Sequence, residues 1–375
     1  MASRNTAAWL QARHRDLVVD AAPYPTPGVG EIVVRNRALA VNPVDWIIQS
    51  TGRLVYPWLK GPVVLGSDVA GDVAEIGAGV SRFAVGDRVV GHAMGSDRGH
   101  DHRAEGAFQL FTVLRENVMS PIPDELSFTR AAVLPLGLST AACALFQTQQ
   151  LGLTYPSANA PATGSTVLVW GGATSVGSNA IQLAHAAGYD VITTCSPHNA
   201  EAMRRLGALE VCDYRSPTVV DDLVAVLAGR TLAGALALGN GSTRPCIDVV
   251  SRCEGRRFVA QASTPVSFAG LRDNPRRTPG VMLRVASGST RSLLAARRGQ
   301  VQTKFISGSS LANDEVSHLV YRDFLAAALA DGRYQTAPEP NIIGTGLHCL
   351  QAALDRQRAG VSAEKIVVAL PAGND

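Results

Sequence analysis

Three glycines carry the clearest chemical signal in this chain. Gly171, Gly172 and Gly177 punctuate VLVWGGATSVG (Val167–Gly177), where a short apolar run passes through a turn into residues at helical spacing. Glycines at the first two positions permit a tight turn and let backbone approach a pyrophosphate, and the third lets a helix close onto its strand. The N–H groups at the start of that helix lack intrahelical acceptors and favour an anion. Thr174 stands where such a fingerprint has its middle glycine. The loop Gly171, Gly172, Ala173, Thr174, Ser175 and Val176 therefore reads either as a dinucleotide cradle or as a strand–helix turn with no ligand. The next strand end discriminates between cofactors. An NAD site ordinarily carries a carboxylate about 20 residues past the first glycine. This chain reads TTCSPHN there, with no carboxylate. Ser196, His198 and Asn199 can donate to a 2′-phosphate, and Arg215, just past Tyr214, adds charge. The expected cofactor is NADPH; the alternative is an ordinary polar loop.

The elements around this loop alternate. Strands are predicted at Val167–Trp170, Asp190–Cys195, Leu209–Tyr214, Ala233–Leu238, Arg256–Ala262 and Gln302–Gly308, with helices at Val176–Gly188 and Ala200–Gly207. Such alternation implies βαβ units and a parallel, doubly wound sheet. Before about Pro135 the rhythm differs, with short strands between Gly/Pro turns: Gly30–Val41, Ser67–Gly77 and Asp87–Met94. A helical run Ala131–Gln147 separates the two regions, and a helix Asp314–Ala330 and a strand Lys365–Leu370 close the chain. The fold class is thus α/β, with a β-rich region beside a dinucleotide-type region.

Bulk properties narrow the function classes. At 375 residues the chain exceeds one compact core, so two domains are expected. A net charge of +3 makes no electrostatic case for nucleic acid or a membrane as partner. The N-terminus lacks the apolar run of a secretion signal, and no stretch reaches the ~20 apolar residues of a membrane span. Cys143, Cys195, Cys212, Cys246, Cys253 and Cys349 are scattered and form no C-x-x-C pair. Reduced thiols and a cytoplasmic location are expected.

NPVDW (Asn42–Trp46), LGSDVAGDVAEIGAGVSRFAVGDRV (Leu65–Val89), GAFQLF (Gly106–Phe111), the LPLGLSTA run and the glycine loop occur in that order. Together they resemble the zinc-free, quinone-oxidoreductase-like branch of the medium-chain dehydrogenase/reductase superfamily, and within it the CipB-like and trans-acting enoyl reductases. The resemblance covers nearly the whole chain. It implies a GroES-like β-rich catalytic domain from residues 1–135 and 311–375 around a Rossmann NADPH-binding domain at 136–310, in a monomer or homodimer. At the places matching the catalytic zinc ligands of zinc-dependent relatives stand Asn42, Ser67 and Leu136, and Gly91–Gly106 lacks the cysteines of a structural zinc lobe. No metal is expected. The histidines of His92–His102 read as a solvated polar loop or a weak metal site.

Without zinc to polarise a carbonyl, conjugate reduction is the easier chemistry. Hydride adds to the β-carbon of an unsaturated carbonyl, charge spreads onto an enolate oxygen held by hydrogen-bond donors, and the α-carbon is protonated. The resemblance places Asn42 and Asp45 near nicotinamide and substrate, although both residue types also fix turns and cap helices. Ile47 stands where enoyl-reductase relatives often have a lysine. Tyr56 is a candidate proton donor or a packed tyrosine. Thr140 matches a threonine that meets the nicotinamide carboxamide, or it bonds its own helix backbone. Tyr214 and Lys365 are assigned to the cofactor or to structure. The arginines of Arg276–Gly299 suit a carrier phosphate or a solvated helix face. The expected substrate is a small unsaturated carbonyl compound, with an acyl-carrier or coenzyme A thioester of secondary metabolism among the options. A zinc-independent carbonyl reductase and a dinucleotide-binding protein with little turnover are the competing readings.

Overall fold

The computed structural model describes residues 4–371; residues 1–3 and 372–375, which the expected domain bounds include, lie outside the described residues. Packing divides the chain into two compact units. The first runs to Leu136, takes in Phe268–Pro275 and resumes at Tyr321; the second comprises Gly137–Ser267 and Arg276–Val320.

The first unit is mainly antiparallel. Its larger sheet orders its strands Glu339–Thr345, Glu364–Ala369, Glu31–Ala40, Asp68–Ile76, Arg88–His92 and Met119–Pro121, with Phe111–Arg115 also paired to Glu31–Ala40. A second sheet joins Val18–Ala22, Asn5–Leu10 and Val63–Val64. The register matters for function. Ala40 pairs with both Asp68 and Val367, and Asp68 pairs with His92. Residues at or beside these strand ends (Asn42, Asp68, His92 and Lys365) are thereby gathered at one rim of the sheet. Glu339–Thr345 has no counterpart among the predicted strands. It sits at the sheet edge and contains Pro340, which an edge strand tolerates because one side needs no ladder donor.

The second unit is a parallel sheet ordered Glu210–Asp213, Asp190–Cys195, Ser165–Trp170, Thr231–Ala237, Phe258–Gln261, Gln302–Phe305. In chain order this is 3-2-1-4-5-6, the doubly wound dinucleotide-fold order. Leu168, Ile192, Leu232, Ala235 and Val259 on the strands meet Leu223, Ile247 and Val250 on helices in one core. Apolar runs buried on both faces explain why these strands show no alternation.

Two expectations need correction. The helix placed at Asp314–Ala330 is not one regular α-helix. A single turn, Glu315–Ser317, passes into a π-helical stretch, His318–Phe324, before Leu325–Ala330 resumes the α form. The π stretch includes Tyr321, which is fully buried and donates through its hydroxyl to the Pro135 carbonyl at 3.1 Å, a tertiary demand that helical periodicity does not express. The domain bounds also shift: Phe268–Pro275, expected within the dinucleotide domain, packs with the first unit, and residues 311–320, expected in the catalytic domain, pack with the second. In the former stretch Arg272 pairs with Asp16 and with Asp355 (2.5 Å), and Asp273 pairs with Arg358 (2.6 Å). One stretch, Phe128–Phe146, is long and apolar enough to cross a membrane by length and composition, yet 78% of its window is buried inside the protein, as in a core helix. All six cysteines are free thiols.

Candidate active site

Two groups of chemically capable residues emerge, one in each unit. In the second unit the glycine loop lies at the C-terminal ends of the strands. Gly171 has φ +90°, a conformation that L side chains rarely adopt. A Cβ on Gly172 would come 2.3 Å from Thr193 Oγ1, and one on Gly177 would come 2.2 Å from the Gly171 carbonyl oxygen. Packing alone therefore demands glycine at both positions. Thr174, in place of the middle glycine, caps the helix Ser175–Ala186: its Oγ1 accepts from Gly177 N at 3.0 Å and donates to Gly171 O at 2.8 Å. The departure from the glycine fingerprint is thus a stabilising cap, which pins the start of a helix whose N-terminus favours an anion. Thr194 Oγ1 accepts from Gly171 N at 3.1 Å and ties the loop to the neighbouring strand.

The neighbouring strand ends complete this edge. Cys195 pairs with Asp213, so Ser196 and Tyr214 follow at matched positions. Ser196 is 5% exposed, Asn199 is buried and His198 exposed. Arg215 lies over the Tyr214 ring, 5.3 Å from its centroid, and donates to its hydroxyl at 3.2 Å. Thr140 is buried on the helix Pro135–Phe146, and Gly137 on that helix has no room for a Cβ beside Ser175 Oγ. Thr194 and Gly137 escaped the sequence reading, because only the packed loop shows what they touch.

In the first unit, Asn42 and Asp45 open the helix Pro43–Thr51. Asp45 is fully buried; its carboxylate accepts from Asn42 N at 2.7 Å and Gly66 N at 3.1 Å. It is a capping residue. Burial pushes its pKa up from 3.8 to about 7, with the nearby Asp68 charge adding to the rise, against the opposing pull of the two amides and Lys365. Asn42 serves differently: its Nδ2 donates to Asp68 Oδ2 at 2.8 Å and its Oδ1 accepts from the Lys365 ammonium. Lys365 Nζ pairs with Asp68 Oδ2 at 2.8 Å, both side chains being nearly inaccessible (4% and 0%), and Asp68 Oδ1 accepts from Leu136 N at 2.7 Å. Lys365, read from sequence as cofactor-binding or structural, is the buried partner of Asn42 and Asp68. Asp68 itself was overlooked; a carboxylate opening the apolar strand Asp68–Ile76 was its one signal. His92, paired opposite, is buried and its pKa is lowered by that burial, so its imidazole is neutral near pH 7. Tyr56 is partly buried against Trp58, with ring centroids 5.6 Å apart. Burial, then the Asp45 and Asp97 charges, push its phenol up to about 12.

The metal question rests on donor chemistry. Leu136 offers no side-chain ligand, the Asn42 amide is spent on Asp68 and Lys365, and an ammonium already stands beside Asp68. In the histidine-rich loop, His100 pairs with Glu105 at 2.5 Å, its pKa raised by that bond, and His102 Nδ1 lies 2.6 Å from the Gly95 carbonyl. Among the described residues no group of three His, Cys, Asp or Glu side chains is placed to hold a metal.

A β-rich unit bearing a polar rim and a 3-2-1-4-5-6 unit with a capped glycine loop define the two-unit architecture of dinucleotide-dependent oxidoreductases. Residues 28–124 match the family model "Alcohol dehydrogenase GroES-like domain". The chain is 48% identical to "Dehydrogenase pigH" of Monascus ruber over 98% of this chain and 99% of that one. It is 39% identical to "Zinc-binding alcohol dehydrogenase domain-containing protein cipB" of Emericella nidulans, over 98% of both chains. It is 37% identical to "Trans-enoyl reductase himH" of Aspergillus japonicus, over 97% of both. Among solved structures, mycobacterial Rv1454c complexed with NADPH shares the fold at a TM-score of 0.67 and 22% identity, covering 97% of this chain and 99% of that one. The chain belongs to the medium-chain dehydrogenase/reductase superfamily and is an oxidoreductase of that family.

Proposed function

We propose that the protein is an NADPH-dependent reductase that adds hydride to an activated carbon–carbon double bond without zinc. The observation that carries this reading is the Lys365 ammonium beside Asn42 and Asp68, at a rim whose other candidate ligand positions, Ser67 and Leu136, make a poor zinc site. The word zinc in the name of the Emericella relative speaks for that protein; the donor set here does not suit the ion. Substrates in this reading are enones, quinones or enoyl thioesters, including those on coenzyme A or an acyl carrier, which the relatives named trans-enoyl reductases support. Six free thiols support a cytoplasmic setting.

When bound, the dinucleotide supplies the hydride. The amides of the loop Gly171–Val176 would hold its diphosphate, Thr140 the carboxamide, Ser196, His198, Asn199 and Arg215 the 2′-phosphate, and Tyr214 the adenosine. Lys365 uses two of its three N–H bonds on Asn42 and Asp68, fixing a positive charge at the rim of the first unit. Tyr56, kept protonated at neutral pH, has a hydroxyl to donate to an enolate oxygen or to a carbanion.

Chelator-treated protein should oxidise NADPH with members of an enone, quinone and enoyl-thioester panel, giving products saturated at the former double bond. A zinc requirement, an alcohol product, or tight dinucleotide binding without turnover on any of them would each overturn the proposal. Cofactor choice has its own test. Ser196→Asp sets a carboxylate against the 2′-phosphate and should weaken NADPH at least about tenfold while sparing NADH. Equal loss of both cofactors in a fluorescence titration would refute the 2′-phosphate assignment.

A further inference from the structure

The second unit holds an open surface cleft that the dinucleotide loop does not use. Helices Thr243–Val250 and Thr278–Gly299 pack together, and between them lies a space of about 380 Å³ lined by Arg244, Asp248, Ser251, Arg291, Leu294 and Arg298. These positions form one stripe on each helix: 244, 248 and 251 face 291, 294 and 298. The helices approach closely at one end, where a Cβ on Gly299 would come 2.8 Å from Ser251 Cβ.

The charges within are unbalanced. Arg244 Nε is bound to both oxygens of Asp248 at 2.9 Å, which spends the only carboxylate in the lining. Nearby Arg252 is likewise paired, to Asp221 at 2.7 Å. Arg291 and Arg298 have no carboxylate within ion-pair distance among the described residues, and residues 276–299 contain no Asp or Glu at all. Both side chains are exposed, so water screens their mutual repulsion, and an anion that bridges them gains from both charges. Guanidinium forks bind phosphate oxygens in pairs. Arg291 and Arg298 are rooted about 10 Å apart along the helix, which suits a ligand with more than one phosphate. Leu294 between them offers an apolar contact for its carbon skeleton.

We propose that this cleft binds a polyphosphate-bearing ligand, such as a coenzyme A diphosphate or inorganic pyrophosphate, at a site separate from the glycine loop. The proposal stands whether or not the protein reduces double bonds. Its test is calorimetric titration of the full chain, free of dinucleotide, with pyrophosphate, coenzyme A and dephospho-coenzyme A. Saturable binding is expected, weakened about tenfold or more by Arg291→Ala or Arg298→Ala and unchanged by Arg297→Ala, a neighbouring arginine outside the cleft lining. A preference for coenzyme A over dephospho-coenzyme A would assign the 3′-phosphate to one of the two arginines, and equal binding would assign the diphosphate alone. Absence of saturable binding, or equal losses in all three variants, would overturn the proposal. Binding that survives both arginine variants would lie at the glycine loop instead and would also overturn the proposal.

Discussion

Lys365→Met is expected to cost about 3–5 kcal/mol of folding stability, seen as a lowered urea midpoint with an unchanged slope. The reason lies in what remains. Asp68 is wholly buried, and its other partners, Asn42 Nδ2 and Leu136 N, are neutral donors. Removing the ammonium leaves a buried carboxylate without a countercharge, which costs far more than the intact pair contributes over an apolar equivalent. The double variant Lys365→Met/Asp68→Asn should therefore recover most of the loss, since a neutral amide no longer needs a cation. A loss under about 1 kcal/mol in the single variant, or no recovery in the double, would show that Lys365 does not neutralise Asp68. The proposed chemistry depends on this arrangement, because a cation held by two partners is already in place when charge develops on a substrate oxygen.

How much of this was legible beforehand differs between the units, for a physical reason. The glycine loop announces itself locally: Val167–Gly177 passes from apolar strand to helix within a few residues, and glycines mark the turn. Ser165–Trp170 and Ser175–Ala186 fall where expected. The capping role of Thr174 was concealed only because its position was compared with a glycine fingerprint. The rim of the first unit is non-local. Asn42, Asp68 and Lys365 meet because Glu31–Ala40 pairs with strands from both ends of the chain, and strand register is invisible to residue spacing. The same limit hid Glu339–Thr345, whose edge position leaves three of its seven residues exposed and none buried, and the return of Phe268–Pro275 to the first unit through Arg272 and Asp273. Asp45 shows a further limit. Sequence left open whether it was chemical or structural, and its two backbone amide bonds identify a cap, while only burial reveals that the cap titrates near neutrality.

That titration gives the second large effect. The folded-state pKa of Asp45, raised from 3.8 to about 7, means that the native protein holds this proton more tightly than the unfolded chain does. The associated stability is fully present below about pH 4 and lost as pH rises through about 7, amounting to at most about 4 kcal/mol. Asp45→Asn cannot titrate. It also turns an amide N–H₂ toward one of the two backbone donors that Asp45 now satisfies, so it should be destabilised by about 1–3 kcal/mol at pH 4.5. Between pH 4.5 and 8 the wild-type protein must ionise a buried carboxyl and the variant need not. The stability gap between them should therefore narrow steadily, and can reverse sign, in urea unfolding measured across that range. Other titrating groups are common to both proteins and largely cancel in the difference. A gap that stays constant or widens with pH would mean that the Asn42 and Gly66 amides outweigh burial and hold Asp45 ionised. The rim would then carry two buried carboxylates on the single Lys365 cation.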